Sequence, residues 1–295
     1  MYYDIKNERV TIVCSETSGK DGAREEIVTD TVPVASFGCG SKAFVVIPGL
    51  GDGLKTVEGL AGPMLLAYRR FAKNRRVHMM SRRSHIPEGY SIRDMAGDIV
   101  KVMDALDIES ADVLGVSQGG MIAEELALLC PERVDRLVLT VTVARPNPTV
   151  ERVVGDWIKM AEAGDLASII ASTAELSYTP ARLKKIGSAY RMAAKVAGRL
   201  GKDKINFSRY LAEARACLEH DAYDRLPEIK APTLVLGGTD DKIVTGDASR
   251  EIAKQIPGAL LHMFKGFGHG LYEEAPDFQE WVEEFITAGD QGGTE

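Results

Sequence analysis

Short apolar runs alternate along the chain with longer stretches whose apolar residues recur every three or four positions. The short runs are typical of buried strands, and the longer pattern is typical of helices with one apolar face. The predicted strands cover residues 10–14, 32–36, 43–47, 76–80, 111–115, 136–141, 233–236 and 259–264. The predicted helices cover residues 62–73, 92–106, 119–130, 247–255 and 276–287. This alternation predicts an α/β fold, a mostly parallel eight-stranded sheet with helices on both faces.

The alternation stops after Thr142 and resumes near Leu226. Pro146 and Pro148 interrupt the chain at the start of this interval, and the residues after them have helical periodicity without a convincing strand. We therefore predict a helical cap over residues 144–223, inserted into a core of residues 1–143 and 224–295. The alternative is a group of ordinary amphipathic helices that pack on the core and have no role in binding a substrate.

Composition and charge narrow the possible functions. The 43 acidic residues outnumber the 36 basic ones, and the net charge of −7 argues against a protein that binds nucleic acid by neutralising phosphates. The four cysteines, at positions 14, 39, 130 and 217, form no CxxC pair, so neither a metal site nor a disulfide-exchange site is expected. Residues 1–20 lack the pattern of a secretory signal, and no apolar run approaches the roughly 20 residues of a membrane helix. We expect a cytoplasmic protein without membrane partners.

The most informative motif is VLGVSQGG at residues 113–120. It places Ser117 between an apolar run and the start of a predicted helix, with Gly115 and Gly119 two residues to either side. A serine in this context occupies a nucleophile elbow, a tight strand-to-helix turn that exposes the hydroxyl and needs small flanking residues. Ser117 is the candidate nucleophile.

With this motif the chain resembles the α/β-hydrolase fold family, in its capped serine-hydrolase subset of esterases, enol-lactonases and haloperoxidase-like proteins. Residues 103–139 are similar to the family's stretch from the helix before the elbow to the next strand, and the resemblance spans nearly the whole chain. It implies that an acid and then a histidine come after the nucleophile in chain order. Serine at the elbow disfavours the haloalkane dehalogenase and epoxide hydrolase branches, which use an aspartate nucleophile.

Three histidines follow Ser117. His269 lies in a glycine-rich loop between the last predicted strand and the final helix, where it resembles the catalytic histidine of the family. His262 lies within a predicted strand and is expected to be structural. His220 ends a helix of the predicted cap, and we expect it to lie at the surface or to cap that helix. His269 is the candidate base.

Two carboxylates, Asp240 and Asp241, follow the predicted strand at 233–236. The family pattern favours the carboxylate three residues after the turn glycine. Counting from Gly238 selects Asp241, whereas counting from Gly237 selects Asp240. We predict Asp241 as the acid and Asp240 as a solvated turn residue, and the choice of register stays open at this point.

The resemblance also implies two oxyanion-hole donors. One is the backbone N–H of Gln118, directly after the nucleophile, and the other is the backbone N–H of Leu50 in the loop after the third core strand. The family often has His-Gly at this loop, where this chain has Pro48-Gly49. The glycines of the loop do not complete a G-x-G-x-x-G motif, because Leu54 occupies the last position, and we expect no cofactor.

A second departure from the family lies at residues 81–85, SRRSH, where the family commonly shows Asp-x-Arg-Gly. Seven basic residues fall in this neighbourhood, and they could attract an anionic substrate if they faced the cleft. A solvated helix face is the simpler interpretation, and it is the one that we adopt. The residues are Arg69, Arg70, Lys73, Arg75, Arg76, Arg82 and Arg83.

We interpret the chain as a serine hydrolase that cleaves a carboxylic ester, a lactone or a related acyl substrate. Ser117 attacks the acyl carbon, His269 transfers the proton and Asp241 orients the imidazole. Two alternatives stay open: a hydrolase-like sensor that signals to a protein partner, and a carbon–carbon hydrolase or lyase that uses the same triad. The expected ligand is a small molecule, and the sequence leaves its identity and the oligomeric state undetermined.

Overall fold

The computed structural model describes residues 3–18, 24–200 and 207–288. The described residues form an eight-stranded sheet in the order β1-β2-β4-β3-β5-β6-β7-β8, in which β3 to β8 are parallel and β1 and β2 are antiparallel. The α/β prediction is confirmed. The strands are β1 (Asp4–Ser18), β2 (Arg24–Gly38), β3 (Lys42–Ile47), β4 (Arg75–Met80), β5 (Ala111–Val116), β6 (Val134–Thr140), β7 (Thr233–Gly238) and β8 (Leu260–Phe264).

Eleven helices are found within the described residues, together with three short 3₁₀ turns. The helices are α1 (Ala61–Ala67), α2 (Arg69–Ala72), α3 (Ile92–Ala105), α4 (Gln118–Leu129), α5 (Pro148–Glu162), α6 (Leu166–Ser177), α7 (Pro180–Leu200), α8 (Phe207–Glu219), α9 (Gly246–Gln255), α10 (Leu271–Glu274) and α11 (Phe278–Thr287). The 3₁₀ turns are Leu50–Gly53, Pro131–Arg133 and Tyr223–Glu228. None of these helices is long and apolar enough to cross a membrane.

The central parallel strands form the core. Every residue of β5 and of β7 is buried, because helices cover both faces of a parallel sheet. This explains why these strands appear in the sequence as continuous apolar runs rather than as alternating patterns.

The β1–β2 hairpin is longer than its apolar pattern predicts. Each strand has 15 residues, and the pairing runs from Asp4 opposite Gly38 to Ser18 opposite Arg24. The predicted strands at 10–14 and 32–36 are only the apolar centres of this ribbon. Backbone pairing between the two strands extends the ribbon through segments made mostly of polar residues, which carry little hydrophobic signal.

Helices α5 to α8 lie between β6 and β7, and we refer to them as the helical insertion. Asn147 starts α5, since its side chain accepts hydrogen bonds from the N–H groups of Thr149 and Val150. The two ends of the insertion meet where the N–H of Ala222 donates to the carbonyl of Ala144 at 2.8 Å. Helix α8 packs against the 3₁₀ turn Leu50–Gly53, directly after β3.

Candidate active site

Ser117 occupies a strained turn between β5 and α4. Its φ of 55° and ψ of −121° are unusual for a residue with a side chain, and such strain concentrates at functional sites. The flanking glycines are required by close backbone contacts. A Cβ atom at Gly115 would lie 2.4 Å from the carbonyl oxygen of Gly119, and one at Gly119 would lie 2.0 Å from that of Ile47.

The segment after β6 supports this turn. The N–H of Ser117 donates to the carbonyl of Thr140 at 2.9 Å, and the hydroxyl of Thr142 donates to the carbonyl of Ser117 at 2.8 Å. Between Thr140 and Thr142, Val141 has a φ of 46°, which is a marked outlier for a β-branched side chain. No sequence pattern predicted this support, because a strained valine has no local motif.

Asp241 and His269 form a buried pair. The Nδ1 of His269 lies 2.9 Å from Oδ2 of Asp241. The other carboxylate oxygen accepts hydrogen bonds from the N–H groups of Ile243 at 2.8 Å and Val244 at 3.0 Å. Because an ionised carboxylate can only accept, Nδ1 carries the shared proton, which leaves Nε2 as the nitrogen that can accept another.

The electrostatics of this pair favour an ionised acid. Burial opposes the charge on Asp241, but His269 and the two backbone N–H groups outweigh it and lower the pKa of the carboxyl below its usual value. Asp240, by contrast, is exposed and accepts a hydrogen bond from the hydroxyl of Thr239 at 2.7 Å. The structure therefore brings Asp241, not Asp240, to His269.

The two predicted oxyanion donors lie at the first residues of helical turns. Leu50 begins the 3₁₀ turn and Gln118 begins α4, and first-turn N–H groups have no acceptor inside their own helix. Within the described residues, neither N–H has a hydrogen-bond acceptor. The loop passes close to the nucleophile, since a Cβ at Gly49 would lie 3.3 Å from the Cβ of Ser117. Two free donors thus flank the serine.

All of these residues lie just after the carboxyl ends of parallel strands. Leu50 follows β3, Ser117 follows β5, Asp241 follows β7 and His269 follows β8. This edge is where ligands bind in parallel α/β sheets. In the described part of the chain no hydrogen bond joins Ser117 to His269, a contact that in this class of site often forms only with bound substrate.

Behind the oxyanion loop lies a buried group of charges, which we call the Arg82 cluster: Asp52, Arg82, Arg209 and Glu213. Arg209 donates to Asp52 at 2.6 Å, and Arg82 lies 3.9 Å from Glu213. Burial raises the pKa of the Glu213 carboxyl, although Arg82 and Arg209 oppose this rise. No sequence pattern predicted that these four residues would meet.

The interpretation of the basic residues between Arg69 and Arg83 as a solvated helix face is wrong for four of them, one of which, Arg76, is half-buried on strand β4. The other three, Arg75, Arg82 and Arg83, are buried. Arg75 lies on β4, Arg82 and Arg83 lie just after it, and each is near a buried carboxylate. The pairs are Arg75 with Asp112 at 2.9 Å, Arg82 with Asp52 at 4.0 Å, and Arg83 with Asp98 at 3.4 Å. Pairing with carboxylates is what allows arginines to be buried.

Two histidines outside the site behave differently. His220, expected at the surface or as a helix cap, is buried directly after α8, where its Nε2 lies 3.2 Å from Glu124 and its Nδ1 lies 3.9 Å from Glu125 on α4. His262 stacks on Trp281 with ring centroids 4.0 Å apart, which agrees with a structural role. The described residues contain no group of three or more His, Cys, Asp or Glu side chains that could hold a metal ion.

Comparison with known proteins agrees with this architecture. The family model of the α/β hydrolase fold matches residues 42–276, so the chain belongs to the α/β-hydrolase fold family. Among its relatives is the proposed carbamate hydrolase RutD of Caulobacter segnis, which is 32% identical over 204 residues, 68% of this chain and 74% of that protein. The chain is therefore a hydrolase of this fold.

Solved structures extend the likeness to almost the full length. The enol-lactonase from Burkholderia xenovorans LB400 matches with a TM-score of 0.73 and 24% identity, over 88% of this chain and 97% of that one. A thermophilic esterase from Thermogutta terrifontis matches with a TM-score of 0.73 and 20% identity, over 95% and 98%. At these identities the likeness establishes the fold. The resemblance to esterases and enol-lactonases drawn from the sequence is confirmed.

Proposed function

We propose that this hydrolase is a serine enzyme that cleaves a carboxylic ester, a lactone or a similar acyl substrate through an acyl-enzyme. The observation that carries the proposal is the combination of a strained Ser117 with an Asp241–His269 pair at the same edge of the sheet. The residues required for nucleophilic acyl transfer lie after three parallel strands, β5, β7 and β8, and each has a partner or a backbone conformation suited to its role.

These positions support the following course of the reaction. Ser117 Oγ attacks the acyl carbon while Nε2 of His269 takes the hydroxyl proton, and Asp241 keeps the imidazole oriented and stabilises its positive charge. The N–H groups of Leu50 and Gln118 donate to the oxyanion of the tetrahedral intermediate. His269 then protonates the leaving alcohol, which departs. A water molecule, deprotonated by His269, attacks the acyl-enzyme and releases the carboxylic acid.

A carbamate is the second candidate substrate, because the relative from Caulobacter segnis is named as a proposed carbamate hydrolase. The same triad would attack the carbamate carbonyl and form a carbamoyl-enzyme. Nitrogen donates electrons into this carbonyl, so both its attack and its release are slower than those of an ester of equal size. The two substrate classes therefore differ in rate more than in mechanism.

The test is hydrolysis of p-nitrophenyl acetate, butyrate and octanoate, a δ-lactone and a p-nitrophenyl carbamate by the wild type and Ser117→Ala. Both the burst and the steady state are measured. Sustained, Ser117-dependent turnover of esters or lactone supports the proposal, and faster turnover of the carbamate favours the second candidate. A single burst without cycling would point to a sensor. Absence of any reaction would point to carbon–carbon chemistry.

A further inference from the structure

One guanidinium nitrogen connects the two sides of the candidate oxyanion hole. Nη2 of Arg82 donates to the carbonyl of Pro48 at 2.6 Å and to Oε1 of Gln118 at 2.6 Å. Pro48 lies two residues before Leu50, and Gln118 carries the other donor on its own backbone. The distance between the two donors therefore depends on the position of this arginine.

Asp52 fixes the loop from the other end of its 3₁₀ turn. Its carboxylate accepts hydrogen bonds from the hydroxyl of Ser81 at 2.5 Å, from the N–H of Arg82 at 3.1 Å and from Nη2 of Arg209 at 2.6 Å. Arg209 also donates to the carbonyl of Asp52 at 2.5 Å. The turn that presents Leu50 is thus attached both to the end of β4 and to helix α8.

Helix α8 holds the second donor as well. Nε2 of Gln118 donates to the carbonyl of Glu213 at 2.7 Å and contacts Sγ of Cys217 at 3.1 Å. The Gln118 side chain is therefore attached on one side to Arg82 and on the other to the helical insertion. Both donor segments contact the same two structures, Arg82 and α8.

A purely stabilising role explains this arrangement poorly. Each of the four charged side chains is at most 7% exposed, and buried ion clusters often contribute less to stability than apolar residues of the same volume. Within the described residues, Nε and Nη1 of Arg82 and both carboxylate oxygens of Glu213 make no hydrogen bond. The contacts that are well formed are those to the donor segments.

We propose that Arg82 is a positioning residue that fixes the two oxyanion donors relative to each other, and that α8 supplies the partners that hold Arg82 and Gln118 in place. This inference rests on the proposed function. It assigns the Ser81-Arg82 segment, where the chain departs from its family's pattern, to the geometry of the oxyanion hole. The helical insertion then becomes part of the catalytic framework in addition to any role in covering the substrate.

The test compares Arg82→Met, Arg82→Lys and Arg75→Met. Arg75 is a matched control, because it is also a buried arginine of the β4 region and donates to the buried Asp112 at 2.9 Å, at the opposite end of that strand. We expect Arg82→Met to lower kcat for an ester about 10- to 100-fold and to change KM less than about 3-fold. This loss of kcat is smaller than the roughly 10²–10³-fold loss caused by removing an oxyanion donor altogether. Affinity for a boronic acid that mimics the tetrahedral intermediate is expected to fall by the same factor.

We expect Arg82→Lys to recover part of kcat because it keeps the positive charge. The recovery is only partial because lysine lacks the planar fork of the guanidinium. Arg75→Met is expected to lower Tm as much as Arg82→Met while keeping kcat and boronate affinity near wild type. Equal losses of kcat in the two methionine variants, or boronate affinity unchanged in Arg82→Met, would overturn the inference.

A second measurement does not depend on turnover. Amide hydrogen exchange at residues 49–53 and 118–120 is expected to accelerate in Arg82→Met and not in Arg75→Met. If the wild type shows no Ser117-dependent hydrolysis, the proposed function fails, and this exchange experiment then decides the positioning role alone. Unchanged exchange in Arg82→Met would disprove that Arg82 holds these segments.

Discussion

The two sides of the candidate site are built in different ways. On the acid–base side, Asp241 and His269 lie in the loops after β7 and β8, neighbouring strands, and are oriented by one contact between them and two backbone N–H groups. On the oxyanion side, both donors are backbone N–H groups, which cannot hydrogen-bond to each other and therefore do not orient each other. Their positions depend on contacts from three separate segments, which are Asp52, the Ser81-Arg82 pair and α8.

Because of this difference, substitutions on the two sides are expected to impair catalysis in different ways. Removing a side chain on the acid–base side removes a charge or a proton acceptor, so the chemistry itself stops. Removing one on the oxyanion side leaves both donors in the chain and only lets them move. The first kind of loss is expected to be large and localised in kcat, and the second to be smaller and accompanied by changes in backbone dynamics.

The largest expected effect is that of Ser117→Ala. Because the hydroxyl is the nucleophile of the acylation step, turnover of p-nitrophenyl esters should fall on the order of 10⁴-fold or more. Steady-state hydrolysis and labelling by a fluorophosphonate measure this. Activity near that of the wild type would remove the basis of the comparison between the two sides.

Next is Asp241→Asn, which keeps the shape but removes the charge that holds the imidazole. We expect kcat to fall roughly 10²–10⁴-fold, since the amide can present its NH₂ group to Nδ1 and stabilise the wrong tautomer. Asp240→Asn is the matched control, one residue away and exposed, and should change kcat less than about 2-fold. If Asp240→Asn proves the more damaging substitution, the acid has been assigned to the wrong residue.

The contrast between the two sides also marks how much could be predicted from the sequence. Ser117 could be predicted because its strained turn requires glycines at fixed spacing, and the counting rule from Gly238 selected the carboxylate that contacts His269. The buried core strands and the presence of helices between β6 and β7 could be predicted from hydrophobic periodicity. Each of these features has a local physical cause that leaves a local pattern.

The Arg82 cluster has no such pattern. Its members come from three regions far apart in the sequence, at residues 52, 82 and 209–213, and a charged residue is expected at the surface unless its partner is known. Burial of Arg82 depends on carboxylates from a loop and from a helix of the insertion, which only the folded chain brings together. For the same reason, the sequence did not predict the buried contacts of His220 with Glu124 and Glu125.

Asp52→Asn examines the oxyanion side with a smaller change. Loss of its charge weakens the contact with Arg209 that holds the 3₁₀ turn against α8, so we expect kcat to fall roughly 10-fold, a fraction of the effect of losing a donor. Asp112→Asn is a matched control, because Asp112 is a buried aspartate at the start of β5 that pairs with Arg75 on β4. Both variants should lose stability in chemical denaturation, and only Asp52→Asn should lose kcat. An equal loss of kcat in both would mean that the cluster contributes stability alone.

The smallest effect on catalysis is expected from His78→Asn. This variant distinguishes loss of activity through acid unfolding from loss of activity through a change at the active site. His78 lies on β4, accepts or donates a hydrogen bond with Ser36 at 2.9 Å, and is distant in the sheet from the carboxyl-end loops of β7 and β8. Burial, helped by the nearby charges of Arg76 and Lys6, lowers its pKa from 6.5 to about 4. The folded state therefore keeps the imidazole neutral where the unfolded state binds a proton.

Because of this histidine, the free energy of unfolding is expected to decrease as the pH is lowered. Between pH 6.5 and about 4 the unfolded chain takes up a proton that the folded chain refuses, and the loss reaches up to about 3 kcal/mol at the lower end. His78→Asn should remove most of this slope in urea denaturation measured from pH 7 to pH 4, with kcat at pH 7 unchanged. Loss of activity at acidic pH that persists in this variant does not come from unfolding driven by His78. If the slope of stability against pH is the same with and without His78, the imidazole is protonated in the folded state and acid unfolding has another origin.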